Sequence, residues 1–436
     1  MKKKPHFFYT AAGMALLAVS HVLAAFPFTE TELREKVFSM AKTYFAEFQH
    51  PETGVLYGAR LSTKASWTTP ADCKAKKPQP WGYGSRYADT MLHTGHTLIA
   101  LLDAQGRKPD PFLETNCKKL FSAMKFIYNV CPVPGIIPRG PHPDDKTAYY
   151  DDSSMDQNTT FIIATCIYIN SALASETDKE FGRKALQETG GRLEKYGWSI
   201  KQADGVTESH VGFAWTGMRH EHVSILLPTV WALYKGTGDQ HWLDVYNTFS
   251  AENNGERWKL LAPGTNVVIN GHPIYANQNC FRLNAFYRLL DDTEKKKIIY
   301  DLLAFTAKIQ LERDFPNDFM RKFLKPEAIE EVKTVMNWGD NALHGACEAW
   351  AKYSPEIQKL KSSVKGTAFL AHVRFPLGGF HMVMTSEHDD LINTHIPQIW
   401  NMLAAVDLTE NDSGETSYLF TVVAMHLYDY YYKHTK

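Results

Sequence analysis

The sequence has 436 residues, a formal net charge of -1 at pH 7 and 44% hydrophobic residues. A chain so close to neutrality has no excess of positive charge to attract a nucleic acid or an anionic membrane surface, so both are excluded as principal partners. Six cysteines spread over this length do not form a dense disulfide framework. No CxxC or HxxxH-like cluster indicates a metal site, and we predict neither a metal nor another cofactor.

The N-terminus predicts a secretory signal peptide over residues 1–25. Three lysines, at positions 2 to 4, precede an apolar stretch from Phe7 to Leu23, and small residues follow at Ala24 and Ala25. This order of basic, apolar and small residues is typical of export signals, although an uncleaved membrane anchor is the alternative. No later segment is apolar enough to span a bilayer. We therefore predict one secreted or periplasmic domain over residues 26–436, of unknown oligomeric state.

The first helix of the mature chain is predicted from its cap. Thr29 and Glu32 form a capping-box pattern. The apolar residues that follow recur on one helical face, at Leu33, Val37, Met40, Tyr44 and Phe48.

After this helix the chain consists of pairs of apolar helical runs that are joined by short polar turns. In chain order, the pairs are Asp89–Leu102 with Phe112–Val130, Asp156–Leu173 with Phe181–Tyr196, His220–Tyr234 with Trp242–Phe249, Ile274–Leu290 with Lys295–Ile309, Ala342–Tyr353 with a shorter partner, and Leu391–Leu408 with Thr416–Tyr432. The first run of a pair is rich in small, apolar and aromatic residues, as an inner helix should be. The second is amphipathic, as an outer helix should be. An open α-solenoid would show a regular repeat period, which is absent here. The pattern therefore predicts an all-α fold, an (α/α)6 barrel made of six helical hairpins.

Three long loops precede predicted inner helices and combine acidic, basic and aromatic side chains. They span Trp81–Asp89, Pro138–Gln157 and Glu208–His220. Aromatic faces stack on the C–H faces of sugar rings, while carboxylates and arginines bind hydroxyls and acid groups. Because all three loops lie at the same end of successive hairpins, we expect them to form one carbohydrate-binding cleft.

Several of these residues also have simpler interpretations. Asp89, Asp152 and Asp156 each stand near the start of a predicted helix and could be plain N-caps. His93 and His96 lie among apolar residues and resemble ordinary core histidines.

Three segments resemble the six-hairpin glycosidases, and most of all the unsaturated glucuronyl and rhamnogalacturonyl hydrolases. The segment 88–98, Ala-Asp-Thr-Met-Leu-His-Thr-Gly-His-Thr-Leu, is similar to the family's inner helix that opens with a catalytic-site Asp. The segment 150–155, Tyr-Asp-Asp-Ser-Ser-Met, resembles the site of its principal acid/base Asp. His210, followed by the turn 215–219, stands where the family has a His and a Trp/Arg/Gly-rich turn. The turn lacks the family's fuller Arg-Gly-x-Gly-Trp pattern, and the loop 139–145 has no counterpart.

The resemblance implies roles for individual residues. Asp152 or Asp151 would be the acid/base, with Asp89 as its partner and Asp156 as a further candidate. Three residues would hold a substrate carboxylate: Arg139, His210 and Arg219. Three would stack on sugar rings: Trp81, Tyr83 and Trp215. Three more polar residues complete the predicted substrate-binding set: Tyr149, Gln157 and His220.

The predicted function is hydrolysis of an oligosaccharide that ends in a uronic acid, in particular a 4,5-unsaturated one. A general acid in this reaction needs a raised pKa, which a partly dry aromatic cleft supplies. Three alternatives remain open. They are a β-glucuronidase acting on saturated substrates, a lyase or epimerase that uses His210, His220, His222 or Tyr149 as its base, and a non-catalytic sugar-binding protein.

Overall fold

The computed structural model describes residues 26–76, 87–209, 211–264, 273–312, 375–409 and 414–435. The α-helices are α1 (Glu30–Phe48), α2 (Pro70–Lys74), α3 (Thr90–Arg107), α4 (Pro111–Asn129), α5 (Met155–Ile169), α6 (Glu176–Lys195), α7 (His220–Thr237), α8 (Gln240–Leu261), α9 (Pro273–Leu289), α10 (Thr293–Glu312), α11 (Phe375–Met384), α12 (Asp389–Ala405) and α13 (Gly414–His434). A 3-10 helix covers Leu61–Ser66. Strands β1 (Pro141–His142) and β2 (Asp145–Tyr149) form an antiparallel ribbon.

Six helices form a closed inner ring. Each of α3, α5, α7, α9 and α11 packs against the next in this order, α11 packs against α13, and α13 returns to α3. Each inner helix is backed by an outer one: α4, α6, α8, α10 and α12 follow their inner partners, and α1 backs α13. The predicted (α/α)6 barrel is confirmed.

Local sequence explains where individual helices begin. The predicted capping box of α1 is confirmed, because the Thr29 hydroxyl accepts a hydrogen bond from the Glu32 N–H and the Glu32 carboxylate accepts one from the Thr29 N–H. Ser154 caps α5 by accepting a hydrogen bond from the Gln157 N–H. The N-cap interpretation of Asp152 and Asp156 was therefore wrong.

The first four predicted hairpins are confirmed as α3/α4, α5/α6, α7/α8 and α9/α10. The predicted run Ala342–Tyr353 lies outside the described residues. The last predicted pair was wrong, because α12 is an outer helix that belongs to α11, and α13 is an inner helix. Phe375–Met384, which is absent from the predicted hairpins, is the inner helix α11. The first helix of the described chain, α1, is the outer partner of the last, α13.

Because outer helices return antiparallel to inner ones, all six inner helices run in the same direction. Their N-termini lie at one end of the ring, called the mouth here, and their C-termini lie at the opposite end, called the far end. The described loops that precede α5 and α7 are at the mouth, while short turns such as 108–110 and 290–292 are at the far end.

Candidate functional site

The mouth brings together residues from two predicted loops. Asp89 immediately precedes α3, and Asp156 lies in the first turn of α5. The β1–β2 ribbon lies between these helices in the sequence. A parallel bridge between Ser154 and Val211 brings the loop before α7 beside the start of α5. Residues that are distant in sequence therefore meet at one end of the ring.

A buried arginine joins two of the predicted catalytic aspartates. The Arg139 side chain is only 1% exposed; its Nη1 lies 2.7 Å from Asp89 Oδ1 and its Nε lies 3.4 Å from Asp152 Oδ2. The Arg139 main chain is held as well, since its N–H donates to the Asp152 carbonyl at 2.9 Å. Arg139, predicted to bind a substrate carboxylate, thus pairs with two carboxylates of the protein itself.

The position of Arg139 depends on a close approach between the backbone at Gly140 and the start of α3. An ideal Cβ placed on Gly140 would lie 2.0 Å from the Tyr87 carbonyl oxygen and 2.9 Å from the Thr90 methyl group. Only glycine therefore allows the loop that carries Arg139 to lie against the start of α3.

Asp89 occupies the N-cap position of α3 but makes no capping hydrogen bond with its side chain. Its backbone is left-handed, with a φ of 60°, which is uncommon for a residue other than glycine. Its Oδ1 accepts a hydrogen bond from Gln157 Nε2 at 2.9 Å, and Gln157 Oε1 accepts one from the Met91 N–H at 3.1 Å. Gln157 is fully buried and fixes the Asp89 carboxylate between α3 and α5.

Asp156 is a mouth carboxylate whose acidity is altered by its surroundings. Burial raises the pKa of Asp156 above its ordinary value; the Arg282 guanidinium, 3.6 Å from Oδ1, opposes this shift and the charge of Asp89 reinforces it. The Asp156 Oδ1 atom is buried, while the side chain as a whole retains 20% exposure. Asp156 therefore combines contact with solvent at the mouth with an environment that favours its protonated form.

Arg282 is the site residue that our sequence analysis missed. It projects from α9, is buried, and donates to Thr159 Oγ1 at 3.3 Å and to Asn279 Oδ1. Burial lowers the pKa of Arg282, and the charge of Asp156 opposes that shift. A charged residue in the middle of a predicted inner helix was the available signal, because buried charges are normally paired or functional.

Below the mouth, the interior of the ring contains histidines packed among aromatic rings. His93 stacks on Tyr418 at 4.6 Å between centroids, and His96 stacks on Phe281 at 3.6 Å. Burial lowers the pKa of His96 well below its ordinary value, and His381 and Arg282 add to the effect. The His96 imidazole is therefore neutral at physiological pH.

Asp151 and Tyr149 interact with residues other than Arg139. Asp151 forms an ion pair with Lys76. Burial raises the pKa of Tyr149, and its hydroxyl also interacts with Cys131. Tyr150 lies closer to the carboxylate cluster, since burial followed by the charge of Asp152 raises the pKa of its hydroxyl to about 12.

The loop before α7 contributes less than we expected. Trp215 is fully buried, so its ring has no surface on which a sugar could stack in this conformation. Arg219 is exposed at the N-cap of α7, and His220 Nδ1 is within 3.1 Å of the Leu260 carbonyl oxygen. The buried Arg257 fixes this loop by donating to the carbonyls of residues 216 and 217. The predicted site residues Trp81, Tyr83 and His210 lie outside the described residues.

The cysteines within the described ranges are free and buried: Cys73, Cys117, Cys131, Cys166 and Cys280. No disulfide bond therefore joins any of these five thiols. Cys347 lies outside the described residues. Across the described segments, no group of three or more His, Cys, Asp or Glu residues could hold a metal ion. No helix in those same segments is long and apolar enough to span a membrane.

Comparison with known proteins gives structural likenesses only. No protein-family model matches the chain, and no curated protein sequence matches it. The chain is similar to a cellobiose 2-epimerase from Spirochaeta thermophila DSM 6192, at 13% identity and a TM-score of 0.36, over 79% of this chain and 86% of that one. It is also similar to a glycoside hydrolase family 76 mannosidase from Bacteroides thetaiotaomicron VPI-5482, at 11% identity and a TM-score of 0.27, over 80% of this chain and 98% of that one. At these values the likenesses do not identify a substrate or a reaction for this chain.

Proposed function

We propose that the chain is a glycoside hydrolase whose general acid is Asp156. The proposal rests on the balance of charge at the mouth. Three carboxylates lie there, those of Asp89, Asp152 and Asp156, but only two buried guanidiniums pair with them, those of Arg139 and Arg282. If all five groups are ionised, one negative charge remains in a largely desolvated site. Binding one proton removes this charge, and the raised pKa of Asp156 makes it the group that holds the proton.

The other mouth residues have supporting roles in this mechanism. Asp89, fixed by Gln157 and Arg139, is the second carboxylate and orients the attacking water. Asp152 is less exposed than Asp156 and holds Arg139 in place. This assignment changes our prediction from sequence, which favoured Asp152 or Asp151 as the acid.

The proposed substrate is an oligosaccharide that ends in a uronic acid, in particular a 4,5-unsaturated one. Asp156 delivers its proton to C4 of the vinyl ether, water adds at C5 and gives its proton to a carboxylate, and the resulting hemiketal opens to release the next sugar. The uronic-acid preference is supported by the resemblance of segments 88–98 and 150–155 and by Arg219, whose exposed cation stands at the start of α7. The predicted signal peptide would direct the enzyme out of the cytoplasm.

The test compares two aspartate-to-asparagine variants five positions apart. Lyase-generated oligosaccharides are supplied, and loss of the absorbance of the unsaturated uronide is followed. We expect Asp156→Asn to lower turnover by about 100-fold or more, the usual contribution of a general acid. Asp151→Asn is the control, because Asp151 pairs with Lys76 rather than with Arg139.

Two results would contradict the proposal. If Asp151→Asn abolishes turnover and Asp156→Asn does not, the acid has been misassigned. If wild-type protein consumes no uronide, either unsaturated or saturated, the substrate class is wrong.

A second candidate is an epimerase acting at the carbon next to a sugar carbonyl. It is favoured by two stacked histidines of the ring interior, His96 and His381, whose ring centroids lie 6.5 Å apart and which would provide a pair of groups for proton transfer at that carbon. The distinguishing measurement is NMR of a reducing disaccharide in deuterated water. Incorporation of deuterium at that carbon without cleavage of the glycosidic bond supports the epimerase and rejects the hydrolase.

A further inference from the structure

The far end of the ring contains a second polar cavity that the proposed reaction does not use. It has a volume of about 410 Å³ and lies among the C-terminal turns of four inner helices, α3, α9, α11 and α13. Asp156 and Arg139 are not among its lining residues. Its volume is within the 300–1,000 Å³ that is usual for small-molecule sites.

Fixed ion pairs form much of the cavity wall. Arg288 donates from both Nη atoms to Asp103, at 2.9 and 2.5 Å, and Arg107 Nε donates to Asp429 Oδ1 at 3.0 Å. Burial, followed by the charge of Asp103, raises the pKa of Asp429. Each side chain in these pairs is held in place by its partner, so the wall offers donors and acceptors at defined positions before any ligand arrives.

The charges of the wall cancel. Among the described lining residues, the acidic and basic side chains are equal in number: Asp103, Glu387 and Asp429 against Arg107, Arg288 and Lys433. A wall without excess charge has no general attraction for a cation or an anion. The carboxylates of the wall accept hydrogen bonds and its guanidiniums donate them. A hydroxyl group both donates and accepts hydrogen bonds, so it can bind to both kinds of side chain.

Two further lining groups favour a sugar over a simpler polyol. Tyr287 and Tyr430 line the cavity and supply aromatic surface next to the ion pairs. His426 also lines it, with its ring 5.7 Å from that of His381. Burial, followed by the charge of Arg288, lowers the pKa of His426 to about 4, so its neutral ring offers one donor and one acceptor.

We propose that the far-end cavity is a second carbohydrate site that binds a neutral sugar of one or two rings. The ion-paired wall binds its hydroxyls, and the tyrosines contact its C–H faces. The proposal does not depend on which reaction occurs at the mouth, and it assigns no chemistry to the cavity.

Gly106 allows the cavity to be filled with little risk to the fold. It lines the cavity, and an ideal Cβ on it would meet no atom within 4 Å. Gly106→Leu therefore adds a large side chain at the cavity wall and also replaces a poor helix former with a good one. Gly191 in α6 is the matched control, because it is a helical glycine that also has no neighbour within 4 Å and does not line the cavity.

The experiment is calorimetric titration of the full chain with glucose and cellobiose, with glycine and sodium glucuronate as the zwitterionic and charged comparisons. We expect saturable binding of a neutral sugar that is weakened at least tenfold by Gly106→Leu and unchanged by Gly191→Leu. Circular dichroism confirms that both variants are folded. If Gly106→Leu is unfolded, Asp429→Asn replaces it, with about tenfold weaker binding expected from the lost charged acceptor.

Three results would overturn the proposal. They are equal sugar affinity in the wild type and in the folded variant, absence of saturable binding of either sugar, and binding of glycine or glucuronate in preference to both sugars. Because hydrolysis of uronides is measured separately, loss of turnover in Asp156→Asn with unchanged sugar binding would support the mouth mechanism and leave the far-end site intact.

Discussion

The Arg139 ion pairs make a quantitative prediction about stability. Arg139→Met keeps a side chain of similar length but removes the charge that faces Asp89 and Asp152, which are 14% and 7% exposed. Leaving a buried charge without its partner typically costs about 3–5 kcal/mol. Because Gln157 still donates to Asp89, we expect the free energy of unfolding to fall by about 3 kcal/mol, near the lower end of this range.

Equilibrium unfolding in urea at several pH values is the assay. In the variant, Asp89 and Asp152 no longer have the Arg139 cation beside them, so protonation of either carboxyl favours the folded state. Stability that depends on protonated carboxyls is present at low pH and is lost as the pH rises. The deficit of Arg139→Met should therefore be largest at pH 7 and smaller near pH 4. Adding Asp152→Asn to Arg139→Met should recover part of the loss, since one of the two carboxylates that faced Arg139 is then replaced by a neutral amide.

An exposed ion pair is the control for this prediction. Lys297 and Asp301 pair at i and i+4 on α10, and Lys297→Met should cost about 0.5 kcal/mol or less. The reasoning is refuted if Arg139→Met loses less than about 1 kcal/mol, or if its deficit is the same at pH 4 and pH 7.

Three further predictions follow from the same structure. The raised pKa of Asp156 means that its ionisation costs stability as the pH rises through its folded-state value, so Asp156→Asn should raise the urea midpoint at pH 7 while it abolishes turnover. Gly140→Ala should destabilise the fold by about 2 kcal/mol or more and lower turnover, because its Cβ would overlap the Tyr87 carbonyl; an unchanged midpoint would contradict the close approach. Burial lowers the pKa of His381 to about 3, so its contribution to stability is present above pH 6.5 and is lost on acidification. Removing this group in His381→Gln should reduce the slope of unfolding free energy against pH, between pH 6 and 4, by about 1.4 kcal/mol per unit.

The sequence predicted the local features of the fold well. Hairpins joined by short turns are local, and their apolar periodicity showed four of them, from α3 to α10, in the right order. The last pair was misassigned because closure of the ring is not local: α13 becomes an inner helix only because α1, more than 360 residues earlier, covers its outer side. The amphipathic appearance of α13, with its Lys and Asp near the C-terminus, reflects the far-end cavity rather than an outer surface.

The candidate site was predicted less completely than the fold, because the side chains of neighbouring residues in one loop form ion pairs with different cations. Asp151, Asp152 and Asp156 lie within six positions, yet they pair with Lys76, Arg139 and Arg282 respectively. Sequence spacing cannot separate them, since each choice depends on where a distant cation lies. Trp215 is a second residue whose role the sequence could not show. The turn in which it lies has the composition of a sugar-binding turn, but tertiary packing buries the Trp215 ring completely.

The parallel direction of the inner helices explains why charge differs between the two ends of the ring. Six N-termini at the mouth carry partial positive charge that stabilises carboxylates, and six C-termini at the far end favour cations such as Arg107, Arg288 and Lys433. A carboxyl at the mouth is therefore biased towards ionisation, which is the wrong state for a general acid. In the proposed mechanism Asp156 retains its proton because desolvation and the nearby Asp89 raise its pKa against the opposing charge of Arg282. Burial of Asp156 is thus the feature on which the proposed acid catalysis depends.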